Sequence, residues 1–264
     1  MGNDARLSGQ PDGQAAECLV DGTHVRLLHH PGQGTPAVVV FGDEASGLHG
    51  HPAAVRALAQ DPECDLYEVA PKAANWFPVA ETGPMAELVR QRLAGKPAVA
   101  LGASMGGYGA LRLGARAGCA ATLAFSPQAR ISPGMTGVGA RYARHYRADL
   151  HADMEIVADH VPERAYAVID PEDPHDLLHA ELLRHEAGVE VIALPHMGHQ
   201  TEAAVSGPEV ALAAVHAAAM GDRAALARIL RRGRRHVPDF LAQLSMACGR
   251  HGHHGWAARI ADLP

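Results

Sequence analysis

One serine in this chain sits in surroundings that would turn a hydroxyl into a nucleophile. Ser104 is the centre of Gly102-Ala103-Ser104-Met105-Gly106, entered by the apolar run Ala98-Val99-Ala100-Leu101 and left by Gly107-Tyr108-Gly109-Ala110-Leu111. An apolar run, a tight turn and a small-residue helix pattern are the strand, elbow and helix that expose a strained serine at the rim of a sheet. Gly102 and Gly106 fit that turn because a β-carbon at either place would collide with the adjoining strand or helix. Gly107, Gly109 and Ala110 let the helix lie close to the sheet, so its positive end faces the serine and any oxyanion formed there.

A serine hydroxyl is barely ionised at neutral pH and needs a base to take its proton. Pro195-His196-Met197-Gly198-His199-Gln200 follows the apolar run Val189 to Leu194 and offers two imidazoles. Gly198 permits a turn that swings the next side chain back toward the serine, so His199 is the expected base. An acid should fix the imidazole tautomer and stabilise the imidazolium. Ile169-Asp170-Pro171-Glu172-Asp173-Pro174-His175-Asp176 supplies three aspartates. Asp173, in a loop stiffened by Pro171 and Pro174, is the expected acid; Asp170, at the end of a strand, is the alternative. Asp176 is expected to cap the helix that follows.

The elements that must position these groups are legible as alternating patterns. Strands are expected at His24 to His30, Ala37 to Phe41, Asp65 to Ala70, the apolar run leading into Gly102, Ala121 to Phe125, Ala165 to Ile169 and Val189 to Leu194. Between them, helical spacing marks Ala53 to Gln60, Met85 to Leu93 with Pro84 at its start, the segment after Ser104, and Leu177 to Glu186. Such alternation implies an α/β fold, a mostly parallel sheet covered on both faces. Residues 1–20 read as a polar leader and 21–205 as the catalytic domain. Within it, residues 129–164 are less regular and lie on the ligand side, a candidate cap with a basic, aromatic helix from Arg141 to Arg147. Trp76, in Asn75-Trp76-Phe77, either walls the pocket and touches substrate or packs beneath its loop. Residues 206–264 are expected to form a helical extension, Pro208 to Met220, Asp222 to Arg232, Pro238 to Cys248 and Trp256 to Ala261, which either docks on the catalytic domain or makes a homodimer or protein-partner contact.

Composition narrows the partners. The chain has 264 residues, a net charge of −6 and scattered basic residues, which disfavours nucleic acid. Met1 to Gln14 lacks the apolar centre of a signal peptide, and no later run approaches membrane-spanning length, so a soluble cytoplasmic protein is expected. Cys18, Cys64, Cys119 and Cys248 are far apart, favouring free thiols over disulfides or zinc. No metal or other cofactor is expected.

Gly102 to Leu111 resembles the Ser-Met-Gly-Gly elbow of bacterial esterases and acyl-transfer enzymes of the α/β-hydrolase superfamily. Asn75-Trp76-Phe77, Phe125-Ser126-Pro127-Gln128 and Ile169-Asp170-Pro171 are similar to segments of bacterial hydrolase-like proteins found near surface-glycan genes, some related to accessory-secretion O-acetyltransferases. The resemblance spans roughly residues 24 to 205 and implies a three-layer α/β-hydrolase sandwich with an acyl-enzyme on Ser104, served by His199 and Asp173. It implies oxyanion donors at the Met105 amide and at Gly42 or Asp43, in a loop where Phe41-Gly42 replaces the family's common His-Gly pair. The implied substrate is a small-molecule or glycan acyl ester. Hydrolysis is the first expectation. Transfer of the acyl group to a sugar or other hydroxyl follows the same chemistry, and a non-catalytic hydrolase-like scaffold with a partner-binding helical tail is the remaining alternative.

Overall fold

The computed structural model describes residues 16–43, 57–59, 61–135 and 137–263. One sheet holds β1 (Glu17–Asp21), β2 (Val25–His30), β3 (Ala37–Phe41), β4 (Leu66–Pro71), β5 (Ala98–Ala103), β6 (Ala121–Phe125), β7 (Arg164–Ile169) and β8 (Glu190–Ala193). Their order is β1-β2-β4-β3-β5-β6-β7-β8. The β1–β2 and β2–β4 pairs are antiparallel, and every pair from β4 to β8 is parallel. The helices are α1 (Val79–Leu93), α2 (Met105–Leu113), α3 (Pro174–Ala187), α4 (Pro208–Met220), α5 (Arg223–Gly233), α6 (Pro238–Arg250) and α7 (His254–Ala261).

The middle of the sheet is buried on both faces, and its strands show why. Along β3, Ala37, Val39 and Phe41 join one core while Val38 and Val40 join the other, and all five are buried. Period-2 alternation with no polar face is the mark of a parallel strand between two helical layers. One layer contains α1 and α2, the other α4 and α5. β4 and β5 lie on opposite sides of β3, so chain direction across the sheet reverses there, and such a reversal opens a crevice beyond the strand ends. Pairing of Phe41 with Gly102, Ala103 with Phe125 and Ile169 with Ala193 brings the loops after β3, β5, β6, β7 and β8 to one rim.

Several expected boundaries change. The leader contains β1, held to β2 at the sheet edge. Helix α1 begins at Val79, before Pro84, because the Glu81 carboxylate accepts the amides of His24 and Val25 at 3.0 Å and fixes the first turn against β2. The expected helix from Ala53 to Gln60 lies largely outside the described residues. The stretch from Arg141 is part of a 3-10 helix, Gly137–His145. A boundary after residue 205 would separate α4 from the sheet it covers: Ala211, Ala214, Val215 and Ala218 are buried in the same core as Val99, Leu123 and Val168. Leu226, Leu230 and Phe240 extend that core, whereas Trp256 on α7 is exposed. All four cysteines are free thiols, and among the described residues no helix is long and apolar enough to cross a membrane.

Candidate active site

Ser104 stands at the turn between β5 and α2 with φ 52° and ψ −119°, a conformation that L-residues rarely adopt. Its amide donates to Phe125 O at 2.8 Å and its carbonyl accepts the Tyr108 amide at 3.1 Å, so the elbow is tied to β6 on one side and to its own helix on the other. A β-carbon on Gly102 would overlap the Gly106 carbonyl, and one on Gly106 would overlap the Phe41 carbonyl. On Gly109 it would meet Phe77 and Phe41 ring carbons at 2.7 and 2.8 Å. The glycines therefore permit a close approach of helix to sheet that no side chain would allow.

Ser104 Oγ donates to His199 Nε2 at 3.0 Å. The other imidazole nitrogen, Nδ1, donates to Asp176 Oδ1 at 2.8 Å. Asp176 can only accept as a carboxylate, which places the imidazole proton on Nδ1 and leaves the Nε2 lone pair for the serine. Burial lowers the His199 pKa, but the hydrogen bond and charge of Asp176 outweigh it and leave the pKa above its ordinary value. His179, one turn along α3 from Asp176, is buried, accepts the Ala129 amide on Nδ1 and is pushed down to about 4 by burial. It stays neutral while His199 takes up protons.

The expectation of Asp173 as the acid, with Asp170 behind it, is corrected. Asp173 is the N-cap of α3, its carboxylate accepting the amides of His175 at 2.8 Å and Asp176 at 3.2 Å. Asp170 is 1% exposed and spends its oxygens on backbone: Oδ2 accepts Met197 and Gly198 amides at 2.9 and 2.7 Å, and Oδ1 accepts Glu172. It shapes the loop that carries His199 without touching the ring. Asp176 is not a cap; it occupies the first turn of α3 and faces inward. The signal was present in Asp173-Pro174, an N-cap residue followed by proline at the first helical position, which starts the helix three residues before Leu177. His196 turns away and pairs with Glu172 at 3.1 Å.

On the opposite side of Ser104, the Met105 amide opens α2 and has no partner within the helix, as holds for the first amides of any helix. Gly42 is corrected as a donor: its amide already bonds to Val69 O at 3.0 Å, continuing the sheet. Of the pair named from sequence, Asp43 remains. Glu202, in the 3-10 turn after His199, sits near Asp43, Asp176 and the imidazole, and burial pushes its carboxyl up to about 7.

Three further groups surround the serine. Gln128 Nε2 donates to Ser104 Oγ at 3.2 Å. The Tyr142 hydroxyl lies 3.4 Å from His199 Nε2, and its ring packs 5.8 Å from that of Trp76. Trp76 is 1% exposed, with φ 46° and its amide on Met105 Sδ at 3.3 Å, so the indole lies beneath Tyr142. Tyr142 thus stands beside the imidazole that faces the serine, and further along the same connection Met154 is tied to α2, its carbonyl accepting the Tyr108 hydroxyl at 3.0 Å.

No family model and no curated protein sequence matches the chain. Among solved structures it is similar to the apo form of esterase 2 from Thermogutta terrifontis, with TM-score 0.53 and 17% identity over 85% of this chain and 97% of that one. It is also similar to a sugar hydrolase from Lactococcus lactis, with TM-score 0.51 and 13% identity over 83% of this chain and all 100% of the other. The chain has the α/β-hydrolase fold.

Proposed function

We propose that this protein is a serine esterase that cleaves an acyl ester through an acyl-enzyme on Ser104. The observation that carries the reading is the unbroken relay from Ser104 Oγ to His199 Nε2 at 3.0 Å and from His199 Nδ1 to Asp176 at 2.8 Å. Residue types, order and distances all suit the deprotonation of an alcohol.

His199 takes the serine proton as Oγ bonds to the ester carbonyl carbon. The carbonyl oxygen becomes an oxyanion facing the Met105 amide and the N-terminus of α2. Asp176 stabilises the imidazolium that forms. His199 then returns the proton to the departing alcohol, leaving the acyl group on Oγ, and a water activated by the same imidazole releases the acid. The alcohol must receive its proton at Nε2, where the Tyr142 hydroxyl now stands. Tyr142 therefore borders the leaving-group side of the site.

The experiment is active-site labelling with a fluorophosphonate, alongside turnover of short acyl esters. The full chain should be labelled at Ser104, and Ser104→Ala should lose both label and turnover. Full ester turnover by Ser104→Ala would overturn the mechanism.

A further inference from the structure

We infer that Gln128 is a fourth catalytic residue, whose side-chain amide steers the Ser104 proton onto His199 and stabilises negative charge on Oγ. The inference rests on the acyl-enzyme reading above and adds a group to that site.

Gln128 follows β6, on the flank of β5 away from β3, and is fully buried. Its amide lies 3.2 Å from the Ser126 carbonyl and 3.2 Å from Ser104 Oγ. A carbonyl can only accept, so the atom facing Ser126 O is the NH2 nitrogen and the orientation of the amide is settled by chemistry. One N–H bonds to Ser126 O and the other points at Ser104 Oγ. With that side of Oγ occupied by a donor, the serine hydrogen is directed to the lone pair on His199 Nε2.

A chain of hydrogen bonds behind Gln128 fixes its place. Thr201 Oγ1 donates to Val168 O at 3.1 Å, so in the 3.0 Å contact between Thr201 and Ser126 the Ser126 hydroxyl is the donor. Ser126 is held at φ 42°, and its carbonyl accepts from the Gln128 amide. Thr201 lies just after His199, so the same chain ties the β6 loop to the loop bearing the base. Every member, Thr201, Ser126 and Gln128, is fully buried.

The chemistry is differential. In acylation the Oγ–H bond breaks, the proton passes to Nε2 and the electron pair of Oγ forms the bond to carbon. In deacylation that bond breaks, its pair returns to Oγ, and His199 restores the proton. Oγ is most negative during those two passages, while as an ester oxygen it accepts hydrogen bonds poorly. A fixed N–H on Oγ therefore favours the transition states over the acyl-enzyme, which is where a donor raises kcat.

The test uses the full chain with Ser104→Ala, Gln128→Met and Gln128→Ala, a fluorophosphonate probe and p-nitrophenyl acetate. An unlabelled wild type would overturn the reading of the site itself. With the wild type labelled, Gln128→Met, close in size but lacking the donor, should slow labelling and lower kcat by about ten- to a hundredfold while KM holds within about twofold. Gln128→Ala should show the same split, and in both the pH midpoint should stay with His199, because a neutral amide leaves the imidazole's charged neighbours in place. Labelling at the wild-type rate in Gln128→Met overturns the inference and leaves Ser104 as nucleophile; so does a loss confined to KM. If neither variant unfolds cooperatively, the wild type decides by nuclear magnetic resonance. The assigned Gln128 side-chain N–H signals should move when Ser104 is phosphonylated, and unmoved signals overturn the inference.

Discussion

Asp173 and Asp176 are joined by a hydrogen bond, the Asp176 amide donating to Asp173 Oδ1 at 3.2 Å, so the residue that begins α3 also sets the residue that meets His199. The two carboxylates should then fail differently. Asp173→Ala removes an N-cap and should lower stability by about 1 kcal/mol with activity largely kept. Asp176→Asn should leave stability nearly intact and lower kcat by about 10⁴-fold, the loss met when the acid of a Ser-His-Asp triad becomes an amide. Thermal unfolding and ester kinetics on both variants check this. Equal kinetic losses would show that the helix start, not the Asp176 charge, is what matters.

The pH dependence follows from the His199 environment. Burial alone would lower its pKa, and the Asp176 hydrogen bond and charge raise it above the usual 6.5. The base must be neutral, so kcat/KM should rise with pH through a midpoint above 6.5 and level off beyond it. In Asp176→Asn the two largest raising causes are gone, while burial and Arg141 still lower the pKa against Glu202 alone, so the residual activity should rise through a midpoint below that of the wild type. Protonated His199 also stabilises the fold: its contribution is complete below the unfolded pKa and is lost as pH rises through the folded one. A pH–rate profile with the variant's limb at or above that of the wild type would contradict the assignment of Asp176.

Glu202 titrates in the opposite sense for a carboxylate. Burial, with Asp43 and Asp176 nearby, outweighs a backbone hydrogen bond at Glu202 and the charge of the imidazole and lifts it from 4.5 to about 7. Between those values the folded chain holds a proton that the unfolded chain has released, so stability falls as pH rises across that window. Glu202→Gln cannot release it. Its melting temperature should match the wild type near pH 4.5 and exceed it at pH 8, and a gap that does not widen with pH would refute the account.

The elbow was readable in sequence because its constraints are local: Gly102, Gly106 and Gly109 are fixed by clashes within one strand, turn and helix and their immediate cover. The α/β layering was readable for the same reason, since strands such as Ala37–Phe41 announce burial on both faces. Gln128 and Tyr142 carry no such signal. Gln128 matters because β6 lies beside β5, and Tyr142 because a 3-10 segment folds back over α3, and neither adjacency leaves a periodicity. At Asp173 two local signals compete: the stiffness given by Pro171 and Pro174 suits a loop that presents an acid, but Pro174 is the first residue of the helix, which makes Asp173 its cap. For the tail, Ala/Leu spacing reports an apolar stripe without saying whether it packs on the catalytic domain or on a partner. In α4 that stripe packs on the sheet.

That tail also reaches the site, through Arg234. Its Nη1 donates to Pro195 O at 2.9 Å and its guanidinium lies 4.7 Å from the Phe240 ring centre, so the carbonyl that opens the His199 loop is held by a residue after α5. Helix α6 abuts the same loop: a β-carbon on Gly198, which has φ +55°, would come within 3.3 Å of Gln243 Nε2. Asp170 holds the loop's amides from one side while Arg234 holds its carbonyl from the other. Removing one clamp should loosen the imidazole without touching the elbow. Arg234→Ala should lower stability by about 2 kcal/mol, as expected for losing a hydrogen bond from a charged donor. It should also reduce kcat more than it changes KM, because His199 must stay within hydrogen-bond reach of Ser104 in every turnover. Arg234→Lys keeps the charge but not the planar fork that both bonds and stacks, so it should recover little. Denaturant unfolding and ester kinetics on the two variants decide it, and full activity in Arg234→Ala would mean that Asp170 alone fixes the loop.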